Sequence, residues 1–471
     1  MLRNLLSKLF VITSMLVGHI ELVAADTFVP DWTEIDVTDE LQQAIYDSPL
    51  SGRTIVLQPR LEPYVISNTI AVPFDRVSIV GVTDDDGDPD TVDPPLTTLM
   101  ASEVWEGDKT LMIAFLGGRR NSIEDLMISG NAELQDPPGG QYGVLLAGTR
   151  RGLVRNLHFS DIGRSTAHPG GCCVLLTAVD DGNVHPIKRL DGTIFIPEPF
   201  GDGSSGVDYD LRVVGEHCQD NTVEHCVFDD LSENFEMQCS FGVRISAPWR
   251  GQFEHNQFRT FARRNKVLSN TFSGYFDSAL EIGGSASRYN YVAYNHFVNT
   301  FKTAMEADRG ASYNDFEYNL ISDHWTMRHL NGLKPGKEKE TRCFAIRDQG
   351  FREDGVPTRF ARGNSYRWNH AESIHGWIAK NTGFILLNRS IGVTMKGNTV
   401  GSIGAETQID RPLAAVVMDH VVTRPRFARR SNEIPTHDRY GNELGVFLEL
   451  PGVETKRNGG ESGFVFRPSL E

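Results

Sequence analysis

Two glutamates, Glu281 and Glu306, occupy the same place in two segments that read alike, Ser278-Ala-Leu-Glu-Ile-Gly-Gly284 and Thr303-Ala-Met-Glu-Ala-Asp-Arg309. Four more segments share the pattern: Tyr142 to Gly148, Cys172 to Ala178, Phe241 to Ala247 and Cys343 to Gln349. Their third residues are apolar (Val144, Val174, Val243, Leu280, Met305, Ala345). In a strand the fourth and sixth residues then project to the opposite face. By pattern, the fourth-position column reads Leu145, Leu175, Arg244, Glu281, Glu306 and Ile346, and the sixth position contributes Asp308 and Asp348. Arg309 lies at the edge of this column, and Arg347 with Asp348 one coil further on.

Like charges directly opposite one another on a sheet are destabilising, so Glu281 over Glu306 asks for a reason. Glu281, Glu306 and Asp308 offer hard oxygen ligands to a cation such as Ca²⁺. Alternatively, the pair shares a proton or has a raised pKa, which would equip one glutamate as a general acid. In the blandest reading Arg244 neutralises Glu281, Glu306 pairs with Arg309 or Lys302, and the charged face keeps the protein soluble. Two carboxyls one strand apart also sit near the ~5 Å separation of retaining glycoside hydrolases.

These strands need a scaffold that stacks them. Three segments supply its signature: Asn265 to Phe272, Asn290 to Phe297 and Asn314 to Ile321. Each has Asn, an apolar residue two on, a second Asn five on and an apolar residue seven on, at intervals of 25 and 24 residues. Such a period marks a solenoid, and the apolar spacing of two marks strands. We expect an all-β, single-stranded right-handed parallel β-helix with turns at Asn, which tolerates the left-handed backbone. The second asparagines would then stack along the axis. Other coils begin at Asn121, Gly152, Asn221 (with Cys226 at the second position), Asn364 and Val393. Gly251 to Phe258 also matches but lies only 14 residues before Asn265, too close for a full turn.

Residues 1–25 read as a secretory signal peptide: Arg3 and Lys8, an apolar run, then Val23-Ala24-Ala25. Thr38 to Tyr46 reads as a helix with a capping signal. We expect a cap helix within 26–50, coils over 51–424 and a C-terminal cap or tail over 425–471. Gly-rich, Pro-rich or basic insertions interrupt the coils at 180–214, 324–342 and 348–363. The net charge of −16 speaks against nucleic-acid binding. It also means that an anionic substrate needs a local basic patch or a cation. A secreted or periplasmic monomer without membrane association is expected. The six cysteines lack zinc spacing and read mostly as small buried residues, with a Cys218–Cys239 bridge left open.

The opening Thr38-Asp-Glu-Leu-Gln-Gln-Ala-Ile45 helix, Thr54-Ile-Val-Leu57, Tyr64-Val-Ile-Ser67 and Val77-Ser-Ile-Val-Gly81 resemble the start of the pectate-lyase-like superfamily. Glu62-Pro-Tyr64 stands where that group often has Gly-Thr-Tyr. The resemblance implies a cap helix on the open end and a glycan, most often uronic-acid-containing, along the outward strand face. It points to a polysaccharide lyase. Such an enzyme needs the uronate carboxylate neutralised, by a cation on Glu281, Glu306 and Asp308 or by an arginine. A base must remove the adjacent proton, with Arg309, Arg347 or Lys302 nearest, and the enolate must be steadied. Gly283-Gly284-Ser285 replaces the Asn-Lys-Ser of some calcium-dependent members, so their lysine has no counterpart here. Arg244, Glu281, Glu306, Arg309, Arg347 and Asp348 are the candidate catalytic set. A hydrolase using Glu281 and Glu306 is the second reading. A non-catalytic glycan binder with Phe241, Trp249, Tyr275, Phe276 and Trp325 is the third.

Overall fold

The computed structural model describes residues 26–49, 51–84, 93–105, 110–131, 134, 141–163, 171–178, 217–230, 241–247, 260–274, 278–325, 343–351, 359–378, 382–407, 414–419, 426–427 and 445–449. The expected signal peptide, the 251–258 match, the 180–214 insertion and Cys239, Trp249, Tyr275 and Phe276 lie outside these residues.

The chain winds as parallel coils. From Lys266–Leu268 it passes through Thr271–Gly274, Ser278–Gly283 and Ser287–Arg288, and then returns beside its start at Tyr291–Ala293. The next coil repeats the path, with Tyr291 opposite Asp315 and His296 opposite Leu320. One face is an 11-stranded parallel sheet running from Ile70–Val72 to Gly445–Glu449. It contains all six segments that the pattern singled out. Closely spaced strands joined only by short corners cannot pair antiparallel here, because each returns a full coil later in the same direction.

Inside the coil, residues at one position stack on themselves. Phe159, Phe228, Phe272 and Phe297 form a column with ring centroids 5.1, 4.6 and 4.8 Å apart, each pair stacked nearly parallel. All four are fully buried. A stacked offset pair adds about 0.5–1.5 kcal/mol beyond its burial.

Both asparagines of the repeat build ladders. Asn221, Asn265, Asn290, Asn314 and Asn364 pass amide hydrogen bonds of 2.9–3.3 Å from one coil to the next. Asn270, Asn295, Asn319, Asn369 and Asn398 do the same at 2.9–3.0 Å. Each amide oxygen also accepts the backbone N–H of the preceding coil's Asn, as Asn295 does for Asn270 at 3.0 Å. Cys226 enters the second ladder through its backbone, donating N–H to Asn270 at 2.9 Å. The turn differs from expectation in one respect. The left-handed residue is the one before each Asn: Ser269, Tyr294, Tyr318 and Trp368 have φ of 54, 59, 54 and 53°. Reversing the chain there aims the following Asn side chain into the interior, where it satisfies buried backbone groups.

The helix Thr38–Tyr46 buries Leu41, Ala44 and Ile45 over the open end of the coils. Its Gln42 amide mimics a missing strand, donating to Ala71 O at 2.9 Å and accepting from Ala71 N at 2.7 Å. Val37, not Thr38, is the N-cap residue and makes no side-chain cap, while Asp36 before it accepts from Thr38 N at 3.0 Å. Strand Asp26–Phe28 precedes the helix and pairs with Arg53–Val56. At the other end parallel pairing continues past residue 424, through Arg426–Phe427 and Gly445–Glu449. Cys218 is a buried free thiol, so it forms no bridge to Cys239. Burial pushes its pKa up.

Candidate active site

The strands Phe241–Ser246, Ser278–Gly283, Thr303–Asp308 and Cys343–Gln349 lie side by side in the 11-stranded sheet. Arg244 pairs with Glu281 and Glu281 with Glu306, as the sequence pattern required. The next strand corrects the pattern by one residue. Met305 stands opposite Ile346 and Glu306 opposite Arg347. Arg347, not Ile346, therefore continues the outward ladder. Asp348 stands opposite Ala307 on the inward side, and Gln349 takes the outward sixth position that had been assigned to Asp348. A signal for this was present. The outward residue follows a small-then-bulky inward pair, Ala279-Leu280, Ala304-Met305 and Ala345-Ile346, and all six of these residues are fully buried.

The ladder Arg244–Glu281–Glu306–Arg347 is held by direct contacts. Arg244 donates from Nε and Nη2 to Glu281 Oε1 at 3.0 and 2.7 Å, and its guanidinium lies 4.1 Å from the Phe241 ring centre. Glu306 Oε2 accepts from Ser278 Oγ at 2.7 Å, and Arg347 Nη1 lies 3.2 Å from Oε1. Gln349 Nε2 bridges Glu306 Oε1 and Asp308 Oδ1, both at 2.7 Å. Its own Oε1 accepts from Arg347 Nη2 at 2.9 Å. Asp308 accepts the Arg309 backbone N–H at 2.6 Å and faces the Arg309 Nε at 3.5 Å. Ser278 and Gln349 are members of the site that sequence reasoning did not single out.

A solvated charged face is not what forms. Arg244, Glu281, Glu306 and Arg347 are 3–6 % exposed. The ladder sits between two buried apolar groups on the same outward face, Leu145, Leu175 and Phe241 on one side and Phe344, Leu386 and Val417 on the other. Exposure rises only toward Asp308 and Arg309, whose side chains are 15 and 26 % accessible. Burial raises the pKa of Glu306 to about 7 despite the opposing Arg347, and Asp308 and Glu281 push it the same way. Burial also raises that of Glu281 against the pull of Arg244, and lowers that of Arg244.

Asp348 belongs to a different constellation. Its oxygens accept from Ser390 Oγ at 2.5 Å, Asn364 Nδ2 at 2.8 Å and the Tyr366 hydroxyl at 2.9 Å, all within the coil. It ends the first asparagine ladder where Val393 replaces the next Asn. Lys302, considered as a base, has left-handed φ at a turn and donates its backbone N–H to Trp325 O.

The acids do not suit a calcium site. Among the described residues no three His, Cys, Asp or Glu side chains group as metal ligands. Guanidinium, amide and hydroxyl donors fill the positions around Glu306, and Arg244 those on Glu281 Oε1.

No protein family matched the sequence, and no curated protein did. Solved structures of similar architecture include an alginate lyase from Paenibacillus sp. str. FPU-7, 11 % identical, TM-score 0.46, spanning 91 % of this chain and 99 % of that one. A mannuronic acid specific polysaccharide family 6 lyase from human gut microbiota is 12 % identical, TM-score 0.44, over 90 % of this chain and 91 % of its own. A polygalacturonase from Erwinia carotovora ssp. carotovora is 11 % identical, TM-score 0.42, over 92 and 96 %. On the register of its own parallel coils, the chain is a single-stranded right-handed parallel β-helix.

Proposed function

We propose that the chain is a secreted polysaccharide-degrading enzyme that cleaves a uronate-containing glycan by β-elimination at the Arg244–Glu281–Glu306–Arg347 ladder. The observation that carries this reading is a pair of adjacent buried carboxyls, each clamped by an arginine, one of them titrating at about 7. Burial raises a structural carboxyl too, as it does Asp348, so the raised value counts here only together with the pairing of Glu281 with Glu306 beside the partly accessible Asp308–Arg309 rim. A carboxyl that exchanges its proton near neutral pH is equipped for acid–base chemistry.

A uronate entering from the Asp308–Arg309 rim would compete with Glu306 for the Arg347 guanidinium. Glu306 then takes the proton from the carbon beside the substrate carboxylate. The guanidinium neutralises the charge that develops there. As the C–H bond breaks, a C=C double bond forms and the C–O bond to the leaving sugar breaks. Glu281, raised by burial, returns a proton to the leaving oxygen. No step is routed through a metal, and Arg309 is assigned to binding at the rim.

A second reading rests on the same pair. Neighbouring strands lie ~4.8 Å apart, close to the spacing of retaining hydrolases, with Glu306 as acid and Glu281 as nucleophile. The test is turnover of uronate polysaccharides by the chain from Asp26, with and without Ca²⁺ or a chelator. Ultraviolet absorbance of unsaturated products and reducing ends are both followed. Absorbance that disappears in Glu306→Gln supports elimination. Reducing ends without absorbance transfer the site to hydrolysis. Loss of absorbance with the chelator restores a cation role for the acids. If no polymer yields either product, the enzyme reading fails and a glycan binder takes its place.

A further inference from the structure

The corner after the site sheet carries a second, unrelated column of charge. Here Arg119 pairs in register with Arg150, Arg150 with Gln219, Gln219 with Arg263 and Arg263 with Arg288. The next residue of each coil is left-handed. Along the axis these are Arg76, Arg120, Arg151, Asp220 and Arg264, with φ of 60, 62, 58, 59 and 55°. Backbone bonds from Arg76 N to Arg119 O, Arg120 N to Arg150 O and Arg151 N to Gln219 O fix their order. Eight arginines thus line six coils, opposed along the two columns by Asp75 and Asp220.

Two observations set this corner apart from an ordinary solvated surface. The chain as a whole carries −16, so the arginines are a local reversal of sign. Each left-handed corner also favours Gly or Asn, and Gly52, Gly363 and Gly392 occupy the flanking coils of the same column. Four arginines stand there instead at a conformational cost, and Arg76, Arg120, Arg151 and Arg264 are exposed. Of these, only Arg264 has an ion pair among the described residues, with Asp220 at 2.7 Å. Asp220 holds Arg264 by two hydrogen bonds, at 2.7 and 2.9 Å, and also attracts Arg151.

We propose that this corner is a binding track for an extended anionic polysaccharide, separate from the acid–arginine sheet. The charges repeat at the rise of one coil, ~4.8 Å, in a straight line along the axis. That matches a stiff linear polymer bearing carboxylate or sulfate on successive sugars. Guanidinium forks suit both anions. Single-stranded nucleic acid binds by stacking its bases on open aromatic faces. The exposed tyrosines that continue this track, Tyr289 and Tyr313, are stacked on each other at 5.6 Å and offer mainly edges. The track passes the C-terminal ends of the site strands, which lead into it at Ser287–Arg288.

The test is binding of the full chain to immobilised polygalacturonate and to dextran sulfate, with neutral dextran and single-stranded oligothymidylate as comparisons. The variant is Arg76→Asn, Arg120→Asn and Arg151→Asn together. Asn tolerates the left-handed corner, so the thermal midpoint should stay level or rise. Affinity for one or both anionic polysaccharides should fall on the order of tenfold or more, with a weaker dependence on salt. Turnover of short soluble fragments should be unchanged, which separates this track from the Glu306 site. Unchanged affinity in the variant, no binding of either polysaccharide to the unmodified chain, or tighter binding of the oligonucleotide would each overturn the proposal.

Discussion

Two kinds of polar column run through the buried part of this molecule, and they treat their hydrogen bonds differently. The asparagine ladders are neutral and self-completing. Asn295 accepts from Asn270 N and Nδ2 and donates to Val267 O, Ala293 O and Asn319 Oδ1. The acid–arginine ladder is charged and incomplete. Its carboxyls sit above their ordinary pKa, and Arg347 Nε is buried without a hydrogen-bond partner. A neutral amide can be repeated from coil to coil because each copy supplies what the next one needs. A carboxylate next to a carboxylate cannot, and its cost has to be offset by flanking arginines. The first ladder therefore reads as stability, and the second is where the proposed chemistry is placed.

Breaking the neutral ladder at its middle should have the largest effect on folding. Asn295→Ala strands several buried donors and acceptors at about 1–3 kcal/mol each. Urea unfolding should show a loss on the order of 4 kcal/mol, while activity per folded molecule stays close to that of the unmodified chain. A small loss there would mean that the ladder is not what holds the coils.

The opposite pattern is expected at the charged ladder. Glu306→Gln should lower turnover by roughly 10²-fold or more, the usual worth of a general acid or base, with a thermal midpoint at pH 8 unchanged or higher. A lower midpoint with turnover intact would move Glu306 to the structural column.

The same carboxyl gives a pH signature of defined sign. Its folded pKa, about 7, lies above the ordinary carboxyl value of 4.5. The folded state thus holds a proton that the unfolded state has already released. Its contribution to stability is greatest below the ordinary value and is lost as pH rises through about 7. Subtracting the pH–stability curve of Glu306→Gln from that of the unmodified chain should leave a difference that falls between pH 5 and 8. A flat difference would contradict the raised pKa.

The smallest effect concerns Asp348. Tyr366→Phe removes one hydrogen bond to it and should cost about 1 kcal/mol, measured by denaturant midpoint, with no change in turnover. A drop in turnover without a drop in stability would return Asp348 to the catalytic set.

The coil is legible in residue spacing alone. The Asn-x-apolar spacing repeats at 25 and 24 residues between Asn265 and Ile321, and each repeat stacks on the last because its apolar face has no other partner. Glu281 over Glu306 followed from that spacing alone, since nothing is inserted between them. The strand Cys343–Gln349 comes after the 326–342 segment, where constant spacing is lost, and its register had to be set by packing. The buried Ala345-Ile346 pair fits over Ala304-Met305, and this turns Arg347 outward and Asp348 inward. Tertiary structure alone also decided that the ladder is buried. A pleat fixes which side a carboxyl faces, but only the assembled chain fixes whether water reaches that side, and with it the pKa that Glu306 brings to the site.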